Sequence, residues 1–246
     1  MINAKIQSTS SGAILFDAAQ MASADEHWFE RTAATGVVTR AGRGEVVFFD
    51  APFGACVLRH YRRGGLVGRV NTDQYLWTGR KRSRAFREFR LLAELHDAGL
   101  PVPAPIMARY VRNGMSYRAD LITRQIPGAQ TLSDQLAERH LDAALATRVG
   151  RTLARFHSMG IWHADLNANN ILLDAAGKVW LLDFDRCDRR KPAMQWQQNN
   201  LQRLLRSFRK LQASKLMPDF DDVFWHPMLA AYHRSLADRH AHGEHA

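Results

Sequence analysis

The run His163-Ala164-Asp165-Leu166-Asn167-Ala168-Asn169-Asn170 is followed, thirteen residues after Asn170, by Asp183-Phe184-Asp185. Three polar side chains stand there in the order and at the spacing that phosphoryl transfer requires. The carboxylate of Asp165 is suited to take the proton of an attacking hydroxyl. The amide of Asn170 and the carboxylate of Asp183 are suited to hold Mg²⁺ against ATP phosphates. Mg²⁺ takes few protein ligands and completes its shell with phosphate and water, so two residues suffice. His163 reads as a residue that orders the loop by hydrogen bonding, with base duty falling to Asp165. Each half of the pattern adjoins an apolar run, Ile171-Leu172-Leu173 and Val179-Trp180-Leu181-Leu182. Short buried strands of that kind hold loops rigid.

The nucleotide side of such a site is sought upstream. Gly42 and Gly44, in Ala41-Gly42-Arg43-Gly44-Glu45-Val46, let a backbone approach phosphates closely, although a plain turn before a strand has the same pattern. The kinase template next places a Lys on a strand, paired with a Glu on the following helix. Here Val57-Leu58-Arg59 occupies that strand, and no Lys lies between Lys5 and Lys81. Arg59 carries a fixed charge and a fork of donors with which to hold phosphates. Strand alternation puts Val57 on the same face, where it would roof an adenine. Glu88 is the expected partner of Arg59. The plainer readings are a surface Arg59 beside Arg62 and Arg63, and a Glu88 paired with Arg84 one helical turn away.

The elements that must position these residues follow from pattern. Residues 1 to about 40 read as irregular, with a short helix near Asp25–Arg31. Val46–Phe49 and Cys56–Tyr61 flank an Asp50–Gly54 turn and read as a hairpin. A helix is expected over Ser83–Ala98, capped by Ser83, with Phe86, Phe89, Leu92 and Leu95 as its stripe and Gly99 and Pro101 as its stop. Leu100–Pro105 is extended and Ser116–Thr123 a strand. Helices follow, one capped by Ser133, a longer one carrying Leu141, Leu145, Val149, Leu153 and Phe156 up to Gly160, and one over 199–211. Strands first and helices later imply an α+β fold, with an N-terminal antiparallel β-rich lobe, a C-terminal α-rich lobe, and the site in the cleft between them. The expected division is an extension over 1–40, an N-lobe over 41–125, a C-lobe over 126–238 and a disordered tail over 239–246.

Composition bounds the partners. The 246 residues are 46% hydrophobic and 24% charged, and the formal charge is +10. That balance implies an anionic partner: nucleic acid, a phosphorylated substrate or an anionic membrane surface. Basic clusters lie at Arg80–Arg84, at Arg186, Arg189, Arg190 and Lys191, and at Arg203, Arg206, Arg209 and Lys210. Cys56 and Cys187 make neither a disulfide framework nor a metal site, which fits a reducing compartment. No window reaches the roughly 18 apolar residues of a membrane span, so a cytoplasmic protein with at most peripheral membrane contact is expected. Trp28-Phe29, Trp77 and Trp196 read as core packing rather than membrane contacts.

Through His163–Asn170, Asp183–Asp185, Gly42, Gly44 and Glu88 the chain resembles the protein-kinase-like superfamily. Further stretches narrow the likeness: Val57–Leu66, Phe86-Arg87-Glu88-Phe89, Leu100-Pro101-Val102-Pro103, Leu121-Ile122-Thr123-Arg124, Leu182–Arg186, and Asn200-Leu201 with Arg203-Leu204 and Arg206-Ser207. In these the chain resembles the 3-deoxy-D-manno-octulosonic acid (Kdo) kinase family over most of its length. The resemblance implies an ATP- and Mg²⁺-dependent kinase of the 4-hydroxyl of Kdo on a lipid A precursor, working peripherally at the cytoplasmic face of the inner membrane. It implies neither a nucleic acid nor an obligate protein partner. Asp183-Phe184-Asp185 in place of Asp-Phe-Gly, and no Ala-Pro-Glu after it, argue against a peptide substrate. Two other readings stay open: a kinase of another core sugar, small molecule or protein, and an inactive kinase fold that binds anionic surfaces.

Overall fold

Alternation of apolar residues along the N-terminal half builds a sheet, and stripes at helical spacing along the rest build helices. In the computed structural model, residues 1–30, 37–41, 44–61 and 73–241 are described. The chain divides into two units, Met1–Gly99 with Pro103–Gln125, and Leu100–Val102 with Ile126–Ala246.

The first unit holds β1 (Ala4–Ser8), β2 (Gly12–Asp17), β3 (Val37–Ala41), β4 (Gly44–Ala51), β5 (Gly54–His60), β6 (Tyr75–Leu76), α1 (Arg84–Asp97), β7 (Pro105–Asn113) and β8 (Ser116–Arg124). Among the described residues its strands make one antiparallel sheet in the order β1-β2-β7-β8-β5-β4-β3, with β6 beside β8. The expected hairpin is β4–β5, in register Val46↔Arg59 and Phe48↔Val57, and Gly54 turns it at φ 106°. Val47, Phe49, Cys56 and Leu58 alternate onto one face and pack with Ile14, Phe16, Phe29, Met107 and Ile122. Burial pushes the Cys56 thiol up to about 11, so it stays a protonated apolar filler. Buried Asp120 is held between His60 Nδ1 at 2.5 Å and Arg109 Nη2 at 2.8 Å.

Two expectations need correction here. Residues 4–17 are not irregular: β1 and β2 form a hairpin, and β2 joins the main sheet beside β7. Gly12 permits that pairing, because a Cβ there would collide with the Tyr110 carbonyl. Ser83 stands at the N-cap of α1 without capping it; its hydroxyl donates to the Arg80 carbonyl at 3.1 Å. The first helical N–H, of Arg84, donates instead to the Tyr117 hydroxyl at 3.1 Å.

The second unit holds β9 (Gln130–Thr131), α2 (Leu132–Ala137), α3 (Ala143–Ser158), β10 (Ile161–Trp162), β11 (Ile171–Leu173), β12 (Val179–Leu181), β13 (Asp188–Arg189), α4 (Met194–Lys210), α5 (Ala213–Leu216) and α6 (His226–Ala241). Thr131, not Ser133, caps α2: its hydroxyl accepts from the Asp134 N–H, and the Asp134 carboxylate accepts from the Thr131 N–H. Asp142 caps α3, accepting from the Leu145 N–H at 2.6 Å. One wide turn, Asp221–Trp225, leads into α6. That helix runs through Arg239–Ala241, so the expected tail begins as helix; residues 242–246 lie outside the described set.

Helix α6 packs along α3 and buries Met228, Ala231 and Tyr232. The closest approach is at Gly150, where a Cβ would run into the Met228 carbonyl and the Tyr232 amide. Both are backbone atoms, so neither can swing aside. Gly150→Ala is expected to lower stability by about 1–3 kcal/mol, despite the better helix propensity of Ala. Urea unfolding of the two proteins checks this; an unchanged midpoint would contradict the close packing.

Candidate active site

Helix α3 ends at Gly160, whose φ of 75° turns the chain sharply. From there β10 pairs with β13, Ile161 opposite Arg189 and Trp162 opposite Asp188. The chain enters the 163–170 loop already fixed at one end. Its other end runs through Asn170 into β11, which pairs with β12 as Ile171↔Leu181. The Leu182 N–H, just beyond β12, donates to the Asn170 carbonyl at 2.9 Å. The segment carrying Asp183 is thereby tied to the residue expected to share its metal.

Within the loop His163 is buried and fully engaged. Its backbone N–H donates to Asn200 Oδ1 at 3.1 Å, and Asn200 Nδ2 donates to its carbonyl at 2.9 Å. The ring bridges the two halves of the motif: Nε2 meets the Leu182 carbonyl at 2.9 Å, and Nδ1 accepts from the Asp165 N–H at 3.2 Å. Those roles define the neutral Nε2–H tautomer. Burial pushes the proton affinity of His163 down, against the pull of the Leu182 carbonyl and of the Asp183 and Asp165 carboxylates. The ring also lies edge-on to Phe184, centroids 5.1 Å apart, and Phe184 stacks on Phe156 at 5.9 Å.

Asp165 is exposed, and its carbonyl accepts from Asn170 Nδ2 at 2.9 Å and from Asn167 Nδ2 at 3.0 Å. With its amide nitrogen used this way, Asn170 has Oδ1 to offer as a hard ligand. Asp183 takes a left-handed backbone, φ 60°, which Asp tolerates better than most side chains. The Ala164 N–H donates to Cys187 Sγ at 3.2 Å, joining the loop to the turn that follows Asp183. The oxygen donors of Asn170 and Asp183 match the preference of Mg²⁺ for hard ligands completed by phosphate and water. Among the described residues no group of three His, Cys, Asp or Glu side chains is placed to hold a metal by itself.

One face of α4 serves this loop. Asn200, Arg203 and Ser207 lie at helical spacing. Asn200 clamps His163, and Ser207 Oγ accepts from the Ala168 N–H at 3.0 Å. Arg203 Nη1 stands 3.4 Å from Asp165 Oδ1. Sequence reasoning placed Arg203 in a basic cluster and gave Asn200 and Ser207 no role. The signal present was a polar i, i+3, i+7 stripe on a helix whose adjoining face carries Leu201, Leu204 and Phe208.

The other sequence candidates lie in the first unit. Arg59 and Glu88 meet: Arg59 Nη2 is 2.5 Å from both carboxylate oxygens, with Glu88 buried and the guanidinium partly exposed. Tyr61, which sequence reasoning passed over, donates its hydroxyl to Glu88 as well. The Arg59 guanidinium also sits over the Tyr61 ring, 4.9 Å from its centroid. Strand alternation, which places residues 57, 59 and 61 on one side, was the available signal. Val57 is half-buried on β5. Gly44 opens β4 opposite Ala41, and Gly42 lies outside the described residues. The structure thus assembles Asp165, Asn170 and Asp183 around one clamped loop in the second unit, and Arg59 with Glu88 in the first.

Residues 27–232 match the profile of the lipopolysaccharide kinase (Kdo/WaaP) family, and the chain belongs to that family. It is 46% identical over 214 residues to the 3-deoxy-D-manno-octulosonic acid kinase of Stenotrophomonas maltophilia (strain K279a), spanning 85% of this chain and 84% of that protein. It is 47% identical over 218 residues to the protein of the same name from Xanthomonas campestris pv. campestris (strain B100), covering 85% of each. For that from Xanthomonas oryzae pv. oryzae (strain PXO99A) the identity is 45% over 218 residues.

A second buried imidazole backs the site. Burial pushes His157 down to about 3, although the Asn200 side chain pulls it upward, and its Nδ1 lies 2.8 Å from the Tyr232 hydroxyl. His157 and His163 are therefore held neutral in the fold, while the unfolded chain takes up protons on them near pH 6.5. Their contribution to stability is complete above that pH and is lost as pH falls, for His157 over the window from 6.5 to about 3. Each adds a slope of up to about 1.4 kcal/mol per pH unit. Urea unfolding between pH 7 and 5 is expected to show this loss, with a shallower slope for His157→Gln.

Proposed function

We propose that this protein transfers the γ-phosphoryl group of ATP to the 4-hydroxyl of Kdo on a Kdo-bearing lipid A precursor, in lipopolysaccharide core synthesis. The observation that carries the reading is the clamped 163–170 loop, with Asp165 exposed and Asn170 tied to the strand that delivers Asp183, in a chain belonging to a lipopolysaccharide kinase family. A protein-kinase-like, two-lobed arrangement belongs to the same proposal.

In this mechanism the Asp165 carboxylate accepts a hydrogen bond from the sugar hydroxyl, aligns it and takes its proton as the new O–P bond forms and the bond to the ADP oxygen breaks. Arg203 is a positioning residue: its charge beside Asp165 holds the carboxylate in one orientation. Mg²⁺, held by Asn170 and Asp183, would neutralise charge on the phosphates. Arg59, aimed by buried Glu88 and Tyr61, binds those phosphates in place of the usual Lys. Gly42 and Gly44 cover them, and Val57 lies against the adenine. The exposed cations Arg186, Lys191 and Arg206 suit an acceptor that carries a carboxylate and phosphates. Among the described residues no helix is long and apolar enough to cross a membrane. Peripheral association with the anionic cytoplasmic face of the inner membrane accounts for access to such a lipid.

The test is mass spectrometry of a Kdo-bearing lipid A precursor incubated with Mg-ATP and the protein. A gain of one phosphoryl group is expected with the wild type, falling about 100-fold or more in rate for Asp165→Ala. No gain while ATP is bound and consumed would move the reading to another acceptor. ATP binding without any turnover would favour an inactive fold. Arg203→Met is expected to lower kcat about tenfold with KM for ATP unchanged, and Arg203→Lys to restore part of it. Steady-state kinetics separate that pattern from general destabilisation, which would not leave KM untouched and respond to Lys.

A further inference from the structure

At the far end of the β7–β8 hairpin the chain turns through Asn113, Gly114 and Met115, with Gly114 at φ 57°. Strand β6 lies alongside, Leu76 opposite Ser116, and the Trp77 N–H donates to the Met115 carbonyl at 2.8 Å. Two large apolar side chains stand in water at this turn: Leu76 is 61% exposed and Met115 78%. They stand on a stiff base. Arg112 Nε donates to the Gly114 carbonyl at 2.8 Å, Ser116 Oγ donates to the Asn113 carbonyl at 3.0 Å, and the Trp77 ring packs on Tyr110 with centroids 4.7 Å apart.

The surroundings of this tip are cationic. Arg80, Lys81 and Arg82 follow Trp77 in a short turn and are exposed, as is Arg112. Across residues 73–84 and 110–118 there are six Arg or Lys side chains, and the single carboxylate, Asp73, is paired with Arg118 at 2.8 Å. Exposed apolar side chains on a hydrogen-bonded turn, in stretches of chain rich in cations, match the cross-section of an anionic bilayer. The cations meet lipid phosphates at the headgroup level while the apolar tips reach the acyl boundary. An acidic protein surface would satisfy the cations but offers no reason for two apolar tips in their midst.

We infer that the Leu76–Met115 tip is where this protein docks on an anionic lipid surface, by shallow insertion of both side chains. The inference rests on the reading that the acceptor is lipid-linked, and it adds the surface that meets the membrane. The full chain is mixed with vesicles of phosphatidylethanolamine and phosphatidylglycerol, or of phosphatidylcholine alone, and sedimented. Wild type is expected to sediment with the anionic vesicles and to be released by salt. The Leu76→Ser/Met115→Ser variant should partition about tenfold or more weakly. It should also lose turnover on acceptor embedded in vesicles while keeping wild-type turnover on a deacylated, water-soluble acceptor. As a second readout, Met115→Cys labelled with an environment-sensitive dye should shift to the blue on anionic vesicles only; Cys56 and Cys187 are buried and do not compete for label. Vesicle binding by the double variant equal to wild type, or an unshifted label on sedimented protein, overturns the inference. So does wild type that stays in solution with anionic vesicles, which would leave the tip to an acidic protein. Wild type that inserts but phosphorylates neither acceptor sinks the proposed activity and leaves the docking surface standing.

Discussion

The geometry of the 163–170 loop depends on one buried amide. Asn200 receives the N–H of His163 and donates to its carbonyl, so both backbone groups of that residue are satisfied away from water by one side chain. An unsatisfied pair there would cost about 1–3 kcal/mol per group, enough to let the loop leave its place. With the backbone of His163 held, its ring can span from the Leu182 carbonyl to the Asp165 N–H, and the two parts of the motif, distant in sequence, share one frame. Burial is what makes the bridge dependable. A neutral imidazole with one donor and one acceptor nitrogen supports only one hydrogen-bonding pattern, whereas an ionised ring would turn the accepting nitrogen against the Asp165 N–H.

The Arg59–Glu88 pair solves a different problem, fixing a guanidinium in one orientation. Glu88 is buried and takes bonds from Arg59 and from Tyr61, so the carboxylate is satisfied from two directions. Arg59 itself stays partly exposed. A flexible Lys in this setting would direct a point charge; the guanidinium presents a planar fork whose orientation is set by the Tyr61 ring beneath it as well as by Glu88. In the proposed reading, where Arg59 takes the place of a Lys, the change comes with its own support, a tyrosine two residues further along.

Much of the fold was legible because burial leaves a period in the sequence. The β4–β5 hairpin, α1 and α3 all announced themselves by apolar spacing and by Gly or Pro punctuation. The β1–β2 hairpin did not, since β1 is a mostly exposed edge strand with polar residues at Lys5, Gln7 and Ser8. The continuous buried run Ala13–Phe16 of β2 lacks alternation altogether. The helix expected to be capped by Ser133 is capped by Thr131, and the Thr131–Asp134 pair was the stronger signal. In the candidate site, the contact of Arg59 with Glu88 was legible from their order on strand and helix. The supporting residues were not. Asn200, Ser207 and Tyr61 act through contacts between elements, and the stripe and the alternation that carry them do not by themselves separate a polar side chain that faces a loop from one that faces water.

The left-handed backbone at Asp183 narrows what this position can ever become. Glycine would adopt the same φ without strain but bring no ligand. Asparagine would keep the conformation and an oxygen, yet give up the negative charge that a divalent cation favours. Glutamate would keep the charge while losing the short side chain that makes a positive φ tolerable, and moving the oxygens one methylene outward. Each neighbouring amino acid meets one of the two demands and fails the other. Conformation and proposed ligand chemistry therefore select the same side chain independently, and the position has no conservative substitute.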